Sequence, residues 1–352
     1  MVTCMTWIKS KPFVGVPKRS DFRKMKEDLS TNLKPKEILI EALYWTADHY
    51  LKIFDVPIGT AMIGDQIASV INSRHDDYPL QTLVVTQSGW RTHSILNPDE
   101  IPIRKIIKPG GLPVSLFLGS LGLPGLCAYF GLFEICQIKA GETLLINAAS
   151  SAVSNVAGQI AKIKNCKVIA FCGSKDRCDW VRELGFDYVF NYNTVRVGPA
   201  LKRVTSQGID CYFDCVGSQF TEGVLENMKN NGTMCMCGYV DSYGRQTTFG
   251  NEEYSSLSIC VPTRKQDPYR MISIKERQVF SASVYDFTSR FNEAERHLLE
   301  WIKQGKIKYR EVIMEGFDKL PDALAALYDG RNVGKIIVKS TNFALMKSDD
   351  GF

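Results

Sequence analysis

Histidine, charge of one sign and uninterrupted apolar runs are all scarce in this 352-residue chain. The four histidines, His49, His75, His93 and His297, form neither an H-x-x-x-H nor an H-E-x-x-H pair, so a zinc-dependent mechanism has little to build on. The formal net charge is +5, from 43 Lys and Arg against 38 Asp and Glu. Such a mild excess does not indicate a dedicated nucleic-acid-binding protein, and no nucleic-acid partner is expected.

A membrane span is not indicated either. The longest apolar stretch, residues 116–136, is about long enough to cross a bilayer. Four glycines, Pro124 and the charged Glu134 interrupt it, which favours a buried helix between two domains. The first ten residues lack the apolar core of a signal peptide. We therefore expect a cytoplasmic protein without a membrane partner.

The 11 cysteines are odd in number and scattered, which argues against a disulfide-stapled secreted domain. Reduced thiols in a cytosolic protein are the simpler interpretation. Cys235 and Cys237 form a C-x-C pair whose side chains would share one face of a strand. That arrangement suits core packing better than metal binding, because two of four ligands would be missing.

Length and composition indicate a two-domain globular protein, with 45% apolar and 23% charged residues. The first third reads as a small β-rich domain, with strands predicted over 37–43, 62–71 and 82–85 between frequent Gly, Pro and Asp residues. From about residue 120 the pattern changes to a helix over 124–135 and then to alternating strands and helices. The strands are predicted over 143–147, 167–171, 188–192, 210–216, 233–237 and 278–284, with helices over 152–164 and 175–184.

Alternation of apolar strands with helices is the pattern of an open, doubly wound parallel sheet. The end of the chain does not extend this sheet, because it predicts helices over 294–304 and 320–328 and a strand over 335–339. We infer that it returns to complete the first domain. The predicted division is 1–119 for the substrate domain, 120–298 for the inserted nucleotide-binding domain, and 299–352 for the return.

Small residues follow the first strand of the parallel sheet, at residues 148–159. A tight turn there presents backbone N–H groups and the positive end of a helix dipole, which together accept a pyrophosphate. Gly158 is the one glycine of the usual fingerprint that remains, and Ser151 and Ser154 stand where glycine is expected. Serine can donate its hydroxyl to phosphate, but its Cβ restricts φ. An ordinary N-capped helix is the alternative interpretation.

The end of the second strand discriminates between cofactors. An acidic residue at this tip would bind the ribose hydroxyls of NAD. The tip instead carries Ser174, Lys175 and Arg177, and either cation could neutralise the 2′-phosphate of NADP. The pattern favours NADP over NAD, with a solvated helix start as the alternative.

Several ordered runs carry a family resemblance. They include GLPGLCAYFG at 122–131, LGFD at 184–187, FNY at 190–192, DCYFD at 210–214 and NVGK at 332–335. With these runs the chain resembles, from residue 1 to about residue 340, the zinc-independent medium-chain dehydrogenases/reductases. The specific resemblance is to the prostaglandin reductase (leukotriene B4 12-hydroxydehydrogenase, alkenal/one oxidoreductase) family.

The resemblance implies an α/β fold in which a Rossmann domain is inserted into a GroES-like β-barrel domain that the C-terminal segment completes. It implies an NADP(H)-dependent enzyme that reduces the C=C bond of α,β-unsaturated ketones and aldehydes. Substrates of the family include 15-oxo-prostaglandins and lipid-derived alkenals, and hydride is transferred to the β-carbon. Members are usually cytoplasmic and often homodimeric.

The resemblance also implies cofactor contacts, carried over by motif. Those expected at the pyrophosphate are Ser151, Ala152, Val153 and Ser154; at the 2′-phosphate, Arg177 and Tyr192; along the cofactor, Cys215, Cys237, Gly238, Tyr239, Val240, Asp241, Ser242 and Tyr243; past the nicotinamide, Phe280, Ser281 and Ala282; and closing the site, Asn332. Cys215 stands where the family has Asn, and Arg177 where it usually has Lys.

Hydride addition to an enone needs a donor that stabilises the enolate. The candidates are Tyr50, Tyr243, Tyr269 and a ribose hydroxyl, although each tyrosine could instead serve packing. The family's substrate tyrosine falls in the stretch 250–274, where the nearest register gives Ile272, with Tyr269 close by. The substrate cleft is expected between the domains, near the carboxyl ends of the strands. Leu126, Tyr129 and Phe130 could supply an apolar wall or pack in the core.

Other functions stay open on the sequence. A quinone oxidoreductase would use the same fold, and a non-catalytic NADPH-binding protein would explain the missing glycines. A zinc alcohol dehydrogenase is disfavoured because Cys4, His49, His75 and His93 lack the expected cysteine cluster around them.

Overall fold

The computed structural model describes residues 1–54, 56–217, 219–237, 248–249, 252–253, 270–274, 277–281, 283–328 and 332–341. The chain forms two compact units. The first unit joins Met1–Leu118 to the segment that starts at Glu311, and the second unit is Gly119–Arg310.

The first unit begins with a run of strands and one short helix. They are β1 (Val2–Lys9), β2 (Phe22–Leu29), β3 (Ile38–Thr46), α1 (Tyr50–Ile53), β4 (Gln66–Ser73), β5 (Leu83–Thr86), β6 (His93–Leu96) and β7 (Ile103–Lys105). The predicted strands over 37–43, 62–71 and 82–85 correspond to β3, β4 and β5. The antiparallel pair of β1 and β2 was not predicted, because five of the eight residues of β2 are charged and its three apolar residues do not alternate with them.

The second unit is built on a mainly parallel sheet. Its elements in chain order are α2 (Leu123–Phe130), β8 (Thr143–Ile146), α3 (Ala152–Ile163), β9 (Lys167–Cys172), α4 (Lys175–Glu183), β10 (Tyr188–Asn191), α5 (Val197–Val204), β11 (Ile209–Asp214), α6 (Gln219–Leu225), β12 (Met228–Met236), β13 (Thr248–Phe249), β14 (Glu252–Glu253), β15 (Arg270–Ile274), β16 (Arg277–Ser281) and α7 (Phe291–Lys303).

Strand order in this sheet is β10-β9-β8-β11-β12-β16, with β15 added antiparallel at the β16 edge. The first six strands follow the 3-2-1-4-5-6 order of Rossmann folds, which confirms the predicted doubly wound domain. The predicted helix over 124–135 is present but changes character, since α2 is followed by a π-helical turn at Gly131–Ile135. Helices α5 and α6 were not predicted from the sequence.

The chain then returns to the first unit as β17 (Glu311–Glu315), α8 (Leu320–Ala326) and β18 (Lys335–Lys339). There, β18 pairs with β3, so the C-terminal segment completes the first sheet, as the fold prediction states. The return starts at Glu311, whereas the predicted boundary at residue 299 falls inside α7. The amide of Gln159 explains the difference, because it donates to Lys308 O (2.9 Å) and accepts from Lys308 N–H (2.7 Å), holding that segment on α3.

The cysteines of the described chain are buried. Cys136 and Cys211 lie side by side, with their Cα atoms 6.2 Å apart. The other described cysteines are free and buried. In the ranges described, no helix combines the length and apolarity needed to cross a membrane.

Gly158 lies where α3 packs against the sheet. A Cβ added there would lie 2.4 Å from Phe186 Cζ and 2.9 Å from Ile146 Cδ1. The last glycine of the dinucleotide fingerprint has this role, since its missing side chain lets the helix approach the strand. Gly158 is therefore retained for packing, independently of the two serines in the turn.

Replacing Gly158 with alanine should lower the free energy of unfolding by ~1–3 kcal/mol through overpacking. In an unconstrained helix the same change would stabilise by up to ~1 kcal/mol. The matched control is Gly198→Ala in α5, where the added Cβ would meet nothing nearer than 3.8 Å. Urea unfolding of both variants tests the packing role, and equal effects would contradict it.

Four charged side chains interact inside the first unit: Asp48, Asp65, Arg104 and Lys335. The Lys335 ammonium lies 2.5 Å from Asp48 Oδ1 and is only 5% exposed. Burial, and then the nearby Asp48 charge, raise the pKa of Asp65 from 3.8 to about 6, although Arg104 and Lys335 act in the opposite direction. The folded protein therefore binds the Asp65 proton more tightly than the unfolded chain does.

Asp65→Asn should stabilise the protein above about pH 6, because the amide removes a buried charge that is costly to hold. The raised pKa of Asp65 means that this carboxyl's favourable contribution is fully present below about pH 4 and is lost as the pH rises through about 6. The gain should therefore grow between these values and reach up to about 3 kcal/mol. Urea unfolding from pH 4 to 8 measures it. A difference that does not vary with pH would count against the buried charge.

Candidate functional site

The turn after β8 takes the tight form expected from its small residues. Ala148 has a left-handed backbone, with φ of 44°, and its carbonyl accepts a hydrogen bond from Ser151 N–H at 2.7 Å. Helix α3 starts at the next residue, Ala152. The turn thus places the start of a twelve-residue helix at the carboxyl end of the first parallel strand.

Ser151 caps this helix. Its Oγ accepts from Ser154 N–H at 3.2 Å, and its carbonyl accepts from Asn155 N–H at 3.1 Å. The N–H groups of Ala152 and Val153 lie in the first turn and have no intrahelical acceptor. Those two donors and the positive helix end suit an anionic phosphate. The sequence offered a capped helix and a phosphate site as alternatives. In the structure the same residues can serve as both.

Ser154 adds a buried hydroxyl at this point. The residue is 0% exposed, and within the described ranges its Oγ has no nitrogen or oxygen partner. The Cys215 thiol adjoins it and is a weak hydrogen-bonding group. A phosphate oxygen is the kind of acceptor that would satisfy such a hydroxyl, so the residues present fit a dinucleotide pyrophosphate.

The tip of β9 brings together the two residues predicted to hold the 2′-phosphate, Arg177 and Tyr192. Ser174 caps α4 by accepting from Arg177 N–H at 3.4 Å. The Tyr192 hydroxyl lies over Gly173, because a Cβ added to this glycine would be 2.4 Å from it. Burial raises the pKa of Tyr192, and the Arg177 charge opposes that shift, so the guanidinium and the phenol are close. A half-buried arginine beside a tyrosine hydroxyl suits a phosphate monoester.

Lys175, the other cation considered at this tip, is engaged elsewhere. Its ammonium lies 2.5 Å from Asp179 Oδ2, one helical turn further along α4, and its side chain is 84% exposed. Arg177, which is half-buried and close to the Tyr192 hydroxyl, is the better placed of the two cations for a phosphate contact.

Two buried polar residues at the strand ends were not assigned a role on the sequence. The carboxylate of Asp214 is 0% exposed and accepts from Asn147 Nδ2 (2.6 Å) and Thr221 Oγ1 (2.6 Å). It also accepts from the N–H groups of Val216 (2.9 Å) and Gly217 (2.8 Å). These bonds fix the loop after β11 against the end of β8. The sequence did offer a signal for these two residues, because Asn147 and Asp214 stand at the ends of strands whose preceding residues are mostly apolar.

Cys215 and Cys237 lie at this same edge. Cys215 N–H donates to Asn147 Oδ1 at 2.7 Å, and Cys237 N–H donates to Asp214 O at 2.7 Å. A hydrogen bond with Cys237, together with burial, raises the pKa of Cys215 well above its ordinary value. Both residues are therefore placed beside the candidate cofactor turn, and Cys215 is a protonated thiol there at neutral pH.

The structure describes only some of the other predicted site residues. Gly238, Tyr239, Val240, Asp241, Ser242, Tyr243, Tyr269 and Ala282 lie outside the described residues. Phe280 and Ser281 belong to β16, where Phe280 is in register with Cys235 of β12. The three candidates for an apolar wall lie in the core of the second unit: Leu126 is 1%, Tyr129 5% and Phe130 0% exposed. Phe130 stacks on Phe287 with ring centroids 4.7 Å apart, which favours the packing interpretation.

The first unit holds Tyr50 and Asn332. The hydroxyl of Tyr50, the first residue of α1, accepts from Asp65 N–H at 3.2 Å. Its ring meets Phe54 edge-on, with centroids 6.0 Å apart. Asn332 Nδ2 donates to Gly334 O at 3.1 Å. In the described part of the chain, no group of three or more His, Cys, Asp or Glu side chains is arranged to hold a metal ion.

Two family models match the chain. The model described as the N-terminal domain of oxidoreductase matches residues 5–103, and the model described as zinc-binding dehydrogenase matches residues 152–303. Their order along the chain agrees with the two units.

Individual relatives match almost end to end. Prostaglandin reductase 1 of Bos taurus is 40% identical over 344 residues, covering 97% of this chain and all of the relative. The NADP⁺-dependent 2-alkenal reductase of Nicotiana tabacum is 32% identical over 340 residues, covering 92% of this chain and 94% of the relative. The crystal structure of CurA from Vibrio vulnificus in complex with NADPH is 28% identical, with a TM-score of 0.80 over 96% of this chain and 99% of that one. On this similarity the chain belongs to the prostaglandin reductase family of the medium-chain dehydrogenases/reductases.

Proposed function

We propose that this protein is an NADPH-dependent reductase of the C=C bond of α,β-unsaturated ketones and aldehydes. The observation that carries the reaction is the nearly full-length similarity to a prostaglandin reductase and to a 2-alkenal reductase. Its substrates are proposed to be small-molecule enones such as 15-oxo-prostaglandins and lipid-derived alkenals. The quinone reductase alternative is less supported, since those relatives are named for prostaglandin and alkenal reduction.

The second unit is proposed to bind the cofactor. The N–H groups of Ala152 and Val153 and the hydroxyl of Ser154 would hold the pyrophosphate, and Arg177 with Tyr192 would hold the 2′-phosphate. NADPH, when bound, supplies the hydride that adds to the β-carbon. The protein's contribution is to place the reacting groups and to exclude competing arrangements.

Tyr50 is the proton-donor candidate that the described residues support. Its oxygen accepts a hydrogen bond from Asp65 N–H at 3.2 Å, which orients the side chain. The phenol of Tyr50 would donate its proton to the substrate carbonyl oxygen, where negative charge develops as the enolate forms. Asn332 would position the substrate or the cofactor amide from the returning segment.

Turnover with a matched set of acceptors tests this function. Purified protein should oxidise NADPH when given an unsaturated ketone or alkenal, and much less with the saturated analogue or a quinone. Tight NADPH binding without turnover on any acceptor would leave only a dinucleotide-binding protein. We also propose a cytoplasmic homodimer, on the family resemblance alone, and light scattering of the purified protein measures the assembly.

Arg177→Ala should weaken NADPH binding on the order of 10–100-fold, because a charge-assisted hydrogen bond to the 2′-phosphate is lost. NADH lacks this phosphate, so its affinity should change little. The control is Arg182→Ala on the same helix, whose guanidinium lies 2.7 Å from Asp179. Fluorescence titration with both cofactors measures the affinities. Equal losses for NADPH and NADH would contradict the assignment.

Ser151→Ala should separate the two uses of the helix end. Loss of the cap should lower the free energy of unfolding without cofactor by ~0.5–2 kcal/mol. The same change frees Ser154 N–H, so NADPH should bind more tightly, on the order of tenfold. Unfolding with and without NADPH, together with titration, measures both effects. Weaker binding would mean instead that the Ser151 hydroxyl contacts the phosphate.

A further inference from the structure

Lys335 is a buried lysine whose ammonium is fully engaged. It is the first residue of β18, and its side chain is 5% exposed. Its Nζ donates to Thr46 Oγ1 (2.5 Å), Ala47 O (3.1 Å) and Asp48 Oδ1 (2.5 Å). Three acceptors match the three N–H donors of an ammonium. The Thr46 hydroxyl in turn donates to Asp48 Oδ2, which closes the group.

This group joins two segments that are remote in sequence. Thr46 ends β3, and residues 47–49 lead from it into α1, which begins at Tyr50. Lys335 lies three residues after Asn332 and is separated from Asp48 by 287 positions. One ammonium therefore connects the segment that carries Tyr50 to the segment that carries Asn332.

Neighbouring contacts also hold the segment that carries Tyr50. Thr46 N–H donates to Asp65 O at 3.0 Å, and Asp65 N–H donates to the Tyr50 hydroxyl at 3.2 Å. The rings of His49 and Tyr328 meet edge-on with centroids 5.2 Å apart. Tyr50 is thus oriented through residues that the Lys335 group fixes.

The energetic cost of burying an ion pair indicates that Lys335 and Asp48 serve to position neighbouring residues more than to stabilise the fold. Removing an ammonium and a carboxylate from water costs several kcal/mol per ion, which their attraction in the interior returns only when the geometry is good. An uncharged pair of similar size is often as stable or more so, whereas removing one partner leaves a costly buried charge. A buried pair at this junction is better explained by the arrangement it imposes on the residues beside it.

We propose that Lys335 is a positioning residue for the reaction, and that its ammonium, held by Asp48, sets the mutual arrangement of Tyr50 and Asn332. Neither Lys335 nor Asp48 needs to touch substrate or cofactor. The inference rests on the proposed function, because Tyr50 and Asn332 matter only if the protein reduces an enone.

The test compares Lys335→Met, Asp48→Asn and the double variant with the parent. Each single variant should lose stability, since one buried charge remains unpaired. The double variant should recover most of that stability in urea unfolding and still have a kcat on an enone reduced on the order of 10²-fold. The KM for NADPH should change little. The matched control is Lys339→Met on the same strand, whose ammonium lies 3.7 Å from Glu315 and which should keep its kcat.

Hydrogen exchange gives a readout that does not depend on turnover. In the double variant, amide exchange should increase in peptides covering residues 46–54 and 332–341 and stay unchanged in α3 and β9. If the parent reduces no enone, the proposed function fails, and the exchange data still test the connection. A double variant with parental kcat, or with unchanged exchange in both segments, would overturn the positioning role.

Discussion

The carboxylate of Asp214 is the interaction on which the candidate cofactor site depends. It is buried, no cation among the described residues is paired with it, and hydrogen bonds from Asn147, Val216, Gly217 and Thr221 satisfy it. Loss of any of these donors would leave buried charge undersatisfied, which is costly. The bonds therefore hold the loop after β11 against the end of β8. This is the point where the strand order reverses, and ligands of doubly wound folds bind at such a point.

The candidate phosphate turn shows how serine can stand where glycine is expected and still leave helix N–H groups for a phosphate. Glycine would leave the helix N–H groups free, whereas Ser151 uses its own oxygen as the first acceptor. This cap stabilises the turn in the absence of cofactor, but it occupies Ser154 N–H, one of the donors that a phosphate could use. Gly158 could not be exchanged in the same way, since a side chain there would collide with Phe186 and Ile146. Packing therefore explains why position 158 of the fingerprint is glycine, and hydrogen bonding explains how serine is accommodated at position 151.

The parallel sheet could be predicted because its strands are continuous apolar runs, and β18 was predicted with the bounds it has. Strand β2 was missed because five of its eight residues are charged and its apolar residues do not follow the two-residue period of a strand. The boundary at Glu311 could not be read from the sequence, since it depends on the contact of Gln159 with Lys308. Arg177 and Tyr192 were assigned by motif. The roles of Asp214 and Lys335 were not, because their partners are brought close only by the fold.

The two units hold their candidate residues by different kinds of polar interaction, and this difference has a consequence for pH. In the second unit, the donors to Asp214 among the described residues are all neutral, so no ion pair of the described residues holds this carboxylate. In the first unit, Tyr50 is held by Asp65 N–H, and the Asp65 carboxyl has a pKa of about 6 because it is buried and close to Asp48. Protonation of Asp65 removes one of the two negative charges near Lys335. A change of charge near pH 6 should therefore reach Tyr50, the candidate proton donor, through the first unit, while the candidate phosphate-binding turn keeps its geometry.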